Sequence, residues 1–479
     1  MTSLPLRLVA LASLLLSTAC FALPTEPPIY KSSVDASGIT IPYLLLGPES
    51  IEPGKKYPLV LFLHGAGERG NDNIRQRGHF PNRMAREWYR NRYPCFVLAP
   101  QCPKENRWAN LDRETKRLQP TPTQPMQGAI AALQEVVRKY PIDTDRIMLT
   151  GLSMGGYGTF DLAARHPDYF AAASAVCGGG DVSTAAQFAG LPIHIWHGSA
   201  DKVVPVGYSQ AMTKAIEDLD LDVTYTEVPN APHNSWDNAY GKDGCLDDLF
   251  AARRNPTAMQ LETARLLAEA IAPNERIAFL GDSITQSGNQ AGGYVDLIRS
   301  ALKTHRPDAV VIPAGISGHK VPDLLARFQK DVIDKKATLV FIYIGINDVW
   351  HSTSGNGTSQ EKFESGLHTL IQTLQASGAT VVLATPSTIG EKPLGENNLD
   401  AMLQDYAAIS RRVAEKENVT LCDLQRAFQS HLAIFNPTDL PKGVLTNDGV
   451  HLNKAGNTFV ATEAARALRE AVLKSKQHR

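Results

Sequence analysis

Short apolar runs rich in β-branched residues recur along this chain, and each stops abruptly at glycine, proline or a polar residue. LVLFLHG (59–65), FVLAP (96–100), RIMLT (146–150), PIHIWHG (192–198) and VTYTEVP (223–229) form a first series. Stretches with helical spacing of apolar residues, among them 126–140 and 206–219, separate them. Uninterrupted apolar runs of this length suit strands buried on both faces, and strands alternating with helices call for a parallel sheet. After a helical stretch at 256–272 comes a break, Pro273-Asn274-Glu275, and then a second series. Its strands are RIAFLGDS (276–283), AVVIPAG (309–315), TLVFIYIG (338–345), ATVVLAT (379–385) and VTLCDL (419–424), closed by a helix over 461–474. The expectation is an α/β protein of two domains, 28–272 and 275–475, each with a largely parallel sheet. A three-residue break is too short for a flexible tether, so the domains are expected to touch.

Composition narrows what such a chain can do. Its 479 residues suit two domains, and the 43% hydrophobic content excludes a disordered or fibrous chain. A net charge of -1 provides no basic field, so no nucleic-acid partner is expected. Arg7, the apolar run Leu8 to Leu16 and the small residues Ser17, Thr18 and Ala19 read as a secretory signal over 1–22, cleaved after Ala22. Lipid modification at Cys20 is the alternative, but Ser17 stands where such signals usually have leucine, which favours plain export, periplasmic or extracellular. Beyond this segment no stretch is apolar enough to be a transmembrane segment. The remaining cysteines, Cys95, Cys102, Cys177, Cys245 and Cys422, are too few and odd in number for a disulfide scaffold. No cysteine or histidine spacing resembles a structural zinc site, and no cofactor or metal is implied.

Gly151-Leu152-Ser153-Met154-Gly155 follows the strand RIMLT and precedes a helical stretch. In that setting a GxSxG motif puts the serine on a strained turn, with glycines where strand and helix approach. A serine nucleophile needs a base, and the base needs an orienting carboxylate. Asp201 lies just beyond the strand PIHIWHG and His233 just beyond VTYTEVP, both where α/β sheets place their chemistry. Asp181, in GGGD, is a rival acid. The turn His64-Gly65-Ala66-Gly67 can aim backbone N–H groups at an oxyanion, with Met154 N–H as the second donor. LHGAGERGNDN, APQCP, GLSMGG, CGGGD and HNSW together resemble secreted α/β-hydrolases of the predicted peptidase or phospholipase/carboxylesterase group, close to feruloyl and acetyl esterases. The resemblance implies an α/β-hydrolase fold with Ser153 as nucleophile, His233 as base and Asp201 as acid. Ala66 is chosen as the further oxyanion donor.

The second half carries its own set. Gly281-Asp282-Ser283 closes the first strand, Gly315 ends the second, Gly345-Ile346-Asn347-Asp348 ends the third, and Asp448 and His451 precede the last helix. An Asp and His three residues apart can share one turn, so the carboxylate can orient the imidazole. The N–H groups of Ser283 and Gly315 and the Asn347 amide can serve an oxyanion. These four blocks resemble the SGNH (GDSL-type) hydrolases. The resemblance implies a flavodoxin-like three-layer α/β/α fold with Ser283 as nucleophile, His451 as base and Asp448 as its partner. Ile284 stands for the usual leucine, and Ala314 stands where a polar residue is common.

Other features stay open. Trp108, Trp236 and Trp350 are sugar platforms or ordinary packing. The polar stretch 352–360, which includes an Asn356-Gly357-Thr358 glycosylation pattern, is a mobile loop over the second site or a solvated connection. The reading as a whole is an exported enzyme with two serine esterase sites acting on O-acyl esters of carbohydrate. A lipid or aryl esterase, a peptidase, or a polysaccharide-binding module in one half are the alternatives.

Overall fold

The computed structural model describes residues 29–36 and 38–477, so the proposed signal segment and Cys20 lie outside the described residues. The first half builds one eight-stranded sheet from β1 (Ile29–Ala36), β2 (Ile39–Leu46), β3 (Tyr57–Leu63), β4 (Phe96–Pro100), β5 (Ile142–Leu152), β6 (Ala172–Val176), β7 (Ile193–Gly198) and β8 (Val223–Val228). The strand order is β1-β2-β4-β3-β5-β6-β7-β8. From β4 to β8 every pairing is parallel, and β1–β2 and β2–β4 are antiparallel. Both faces of β3 are buried. Leu59, Leu61 and Leu63 enter one apolar cluster while Val60 and Phe62 enter another on the opposite face, as period-two alternation requires.

The second half is a five-stranded, all-parallel sheet of β9 (Arg276–Gly281), β10 (Val310–Gly315), β11 (Leu339–Tyr343), β12 (Thr380–Ala384) and β13 (Thr420–Cys422), in the order β10-β9-β11-β12-β13. The strand over 59–65 expected from the sequence ends at Leu63, because the chain turns at His64. Three strands, β1, β2 and β6, escaped the sequence analysis.

The two halves pack on each other. Tyr169 Oη donates to the Ser430 carbonyl at 2.8 Å, His431 Nδ1 lies 3.0 Å from Asp168 Oδ2, and the Arg254 guanidinium sits 3.9 Å from the Phe435 ring centre. The helix Pro256–Ala270 contributes Leu266 to the first core but Leu267, Ala268 and Ala270 to the second. The five cysteines among the described residues are free and buried. No helix among them is long and apolar enough to cross a membrane.

Candidate active sites

Ser153 sits between β5 and the helix Met154–Arg165 with φ 53° and ψ -117°, a conformation that non-glycine residues adopt only when their surroundings enforce it. The enforcement is visible at Gly155. A Cβ there would lie 1.8 Å from the Leu63 carbonyl oxygen, so only glycine lets the helix press on the sheet. Ser153 Oγ lies 2.9 Å from His233 Nε2, and His233 Nδ1 lies 2.7 Å from Asp201 Oδ2. Asp201 Oδ1 accepts the N–H groups of Val203 at 2.8 Å and Val204 at 3.0 Å. Burial raises the Asp201 pKa, but the His233 hydrogen bond and those two N–H groups outweigh it and hold the carboxyl below its usual range. Asp201 is therefore an anion fit to hold His233 in one tautomer and to stabilise an imidazolium.

The rival acid, Asp181, is used elsewhere. Its carboxylate accepts Ser183 N–H at 2.9 Å and Leu118 N–H at 2.8 Å, and it pairs with Arg117. Ala66 opens a one-turn 3₁₀ helix, Ala66–Glu68, beside Ser153: a Cβ on Gly65 would come within 3.7 Å of the serine Cβ. His64, which the sequence presented only as part of this turn, locks it. Its Nδ1 lies 2.6 Å from the Gly65 carbonyl, its Nε2 accepts Cys102 N–H at 2.9 Å, and its carbonyl accepts Trp108 Nε1–H at 3.0 Å. Burial pushes the imidazole pKa down to about 4, so this ring is neutral and structural. Trp108 is fully buried, which corrects the sugar-platform reading for that residue. Trp236 packs edge-on against His233, with ring centres 5.4 Å apart.

The second site is assembled the same way. Ser283 begins the helix Ser283–Gly288, capped by Asp282 Oδ1, which accepts Ile284 N–H at 2.9 Å. Ser283 Oγ lies 3.0 Å from His451 Nε2, and His451 Nδ1 lies 2.7 Å from Asp448 Oδ2. Asp448 Oδ1 takes the backbone N–H groups of Val450 and His451. Burial raises the Asp448 pKa, but the His451 hydrogen bond and those backbone donors win, and the carboxyl is held down. The pair is open to solvent, with side-chain exposures of 48% for Asp448 and 34% for His451, against 0% and 20% for Asp201 and His233. Trp350, 37% exposed, stands 6.3 Å from His451 between ring centres.

Gly315 ends β10 against this helix, where a Cβ would meet Gln286 N at 2.3 Å. Asn347 is buried and donates through Nδ2 to the His319 carbonyl at 3.0 Å, leaving a second N–H. Arg327 was not singled out in the sequence. Its guanidinium donates to the carbonyls of Gly281 and Ala314, at 2.9 Å each, and to His319 Nδ1 at 3.0 Å. It thus ties together the strand ends before Ser283 and Gly315 and the loop that holds Asn347. The stretch 352–360 is pinned as a connection: Lys320 Nζ donates to the Asn356 carbonyl at 2.8 Å, and Thr358 N–H to Asp348 at 3.2 Å.

Two strand-end serines, each joined to a histidine and a buffered carboxylate, define a carboxylic ester hydrolase of two α/β units. The first is an α/β-hydrolase domain and the second a GDSL-type domain, one in each half. Residues 49–242 match the phospholipase/carboxylesterase family, and residues 279–459 match the GDSL-like lipase/acylhydrolase family. The chain is 29% identical over 209 residues to an acetylxylan esterase of Geobacillus stearothermophilus, covering 40% of this chain and 92% of that one. Among solved structures it resembles a thermostable esterase (40% identity, 47% of this chain and 63% of that chain, TM-score 0.44). It also resembles an acetyl xylan esterase (41% identity, 40% of this chain and 97% of that chain, TM-score 0.39).

Proposed function

We propose that the chain is an exported bifunctional esterase that removes O-acyl groups from carbohydrate at two separate sites. The observation that carries this reading is the pair of unbroken hydrogen-bond chains, Ser153–His233–Asp201 and Ser283–His451–Asp448. In each, the histidine takes the serine proton as Oγ attacks the ester carbonyl, and then gives it to the leaving alcohol. Water attacks the acyl-serine in the second half-reaction, with the same histidine as base. Met154 and Ala66 N–H groups serve the oxyanion at the first site; the N–H groups of Ser283 and Gly315 and the free Asn347 N–H serve it at the second.

Carbohydrate as substrate is supported by the acetylxylan esterase names of two similar proteins. Export is supported by the signal-like sequence and by similarity to an uncharacterized lipoprotein of Bacillus subtilis, 30% identical over 119 residues, covering 23% of this chain and 48% of that one. The first site accepts bulkier acyl groups, since a cavity of about 250 Å³ opens beside Met154. The second, whose histidine and aspartate face solvent, prefers short ones such as acetyl. The test is labelling of the full chain with a fluorophosphonate, followed by peptide mass spectrometry. Two adducts are expected, one on Ser153 and one on Ser283. A single adduct would reject the two-site reading. The full chain is used because helix Pro256–Ala270 belongs to both cores, and cutting at 272 exposes Leu267.

A further inference from the structure

The cavity beside the first site is rimmed by Arg107, Arg113 and Lys116 and floored by Met154, Tyr157 and Tyr208. The three cations come from one loop whose shape is fixed by the scaffold. Leu111 and Leu118 pair across it in an antiparallel bridge. One end is held by Asn110 N–H donating to Asp161 Oδ2 at 2.8 Å, and the other by Leu118 N–H donating to Asp181 Oδ2 at 2.8 Å. Both carboxylates are buried. The loop therefore holds its charges in place over the cavity.

Among the described residues none of the three cations forms an ion pair, whereas their neighbour Arg117 is paired with Asp181 at 3.3 Å. Arg107 Nη2 and Lys116 Nζ instead donate to the backbone carbonyls of Leu111 and Arg113. Asp112, the one acid on the rim, spends its Oδ1 on Glu114 N–H, Thr115 N–H and the Thr115 hydroxyl. Those hydrogen bonds, the Thr115 N–H most of all, hold its carboxyl below the usual range, and Lys116 lies close enough for its charge to help. On the floor, Tyr157 and Tyr208 meet edge to face over Gly179, with ring centres 6.3 Å apart; a side chain at Gly179 would strike both rings. The cavity thus offers two aromatic rings that can lie along a sugar ring or an acyl chain, and three cations at its mouth.

Resting on the esterase reading of Ser153, we infer that the first site selects esters carrying a carboxylate near the scissile bond. That carboxylate belongs either to a uronic acid in the alcohol part or to a dicarboxylic acyl group. Both present one anion at the reach of the loop cations.

The test uses the full chain carrying Ser283→Ala, so that only the first site turns over. One arm compares 4-nitrophenyl hydrogen glutarate with 4-nitrophenyl pentanoate; the other compares O-acetylated methyl glucuronide with O-acetylated methyl glucoside. In at least one arm kcat/KM is expected to be about tenfold higher for the anionic ester, the scale of three weak, solvent-exposed charge contacts. Added salt should erode the preference. The triple variant Arg107→Gln, Arg113→Gln, Lys116→Gln should bring the anionic-to-neutral ratio to about one. Ratios of one or below in both arms, or a preference that survives the triple variant, would overturn the inference. Activity that persists when Ser153→Ala is added would instead sink the esterase reading itself.

Discussion

The Nδ2 atom of Asn347 donates a hydrogen bond to the carbonyl oxygen of His319 at 3.0 Å, which holds the buried side-chain amide in one orientation. One N–H is spent on this bond, and the proposed part of the other is to meet a developing negative charge. Such a donor acts mainly in the transition state, where the carbonyl oxygen becomes anionic.

Asn347→Ala, in a Ser153→Ala background, should therefore lower kcat about 10²–10³-fold with little change in KM. Loss of the bond to His319 should cost about 1 kcal/mol of stability. Near-normal kcat with a lowered melting temperature would assign Asn347 a purely structural part.

Arg327 works one step further back. It donates to Gly281, Ala314 and His319, so it sets where the serine, the Gly315 N–H and the Asn347 amide stand relative to one another. Arg327→Met should reduce kcat about 10²-fold, the cost of misplacing reacting groups by about an ångström. Arg327→Lys should restore only part, since an ammonium cannot reach all three acceptors as a planar fork does. Steady-state kinetics beside thermal unfolding separates the two effects. A fall in melting temperature without a fall in kcat would contradict the positioning role.

Asp282 gives the fold a pH signature. Burial, and then the nearby charge of Asp348, push its pKa up to about 7 against the pull of the Ile284 N–H. The folded state thus binds a proton that the unfolded state releases near pH 4. The stability this contributes is complete below about pH 4 and is lost as pH rises through 7. Asp282→Asn keeps the cap but cannot ionise. Its stability relative to wild type should climb between pH 4 and 7, by up to about 1.4 kcal/mol per pH unit, and level off above. Denaturant unfolding at pH 4.5, 6 and 8 measures this, and an offset that does not change with pH would refute it.

The parts of this molecule that were legible in the sequence are those where one residue type has one physical use. FVLAP is buried along its whole length and appears as β4 with the bounds expected. GxSxG is legible because Gly155 must be small and Ser153 must be strained. β6 was missed because its sequence, AASAV, is alanine-rich and carries no β-branched run; it is a strand because it is walled in between β5 and β7. β1, IYKSSVDA, carries polar residues at the sheet edge and lacks an apolar run, and in β2 the buried run YLLL is short and preceded by Pro42, a residue that argues against a strand. Arg327 and His64 were missed for another reason. An arginine in an amphipathic helix looks like a solvated charge, and a histidine before a glycine turn looks like part of the turn. Only the three-dimensional arrangement shows which carbonyls they hold.

The two proposed esterase sites of the chain are expected to work independently. Rates of hydrolysis of acetylated xylan oligosaccharides and of a 4-nitrophenyl ester series by wild type, Ser153→Ala, Ser283→Ala and the double variant test this most directly. Each single variant should keep one part of the substrate range, the two parts should sum to the wild-type profile, and the double variant should lose both, by about 10⁶-fold. Residual hydrolysis in the double variant near either single-variant rate, or loss of every activity in one single variant, would contradict the account.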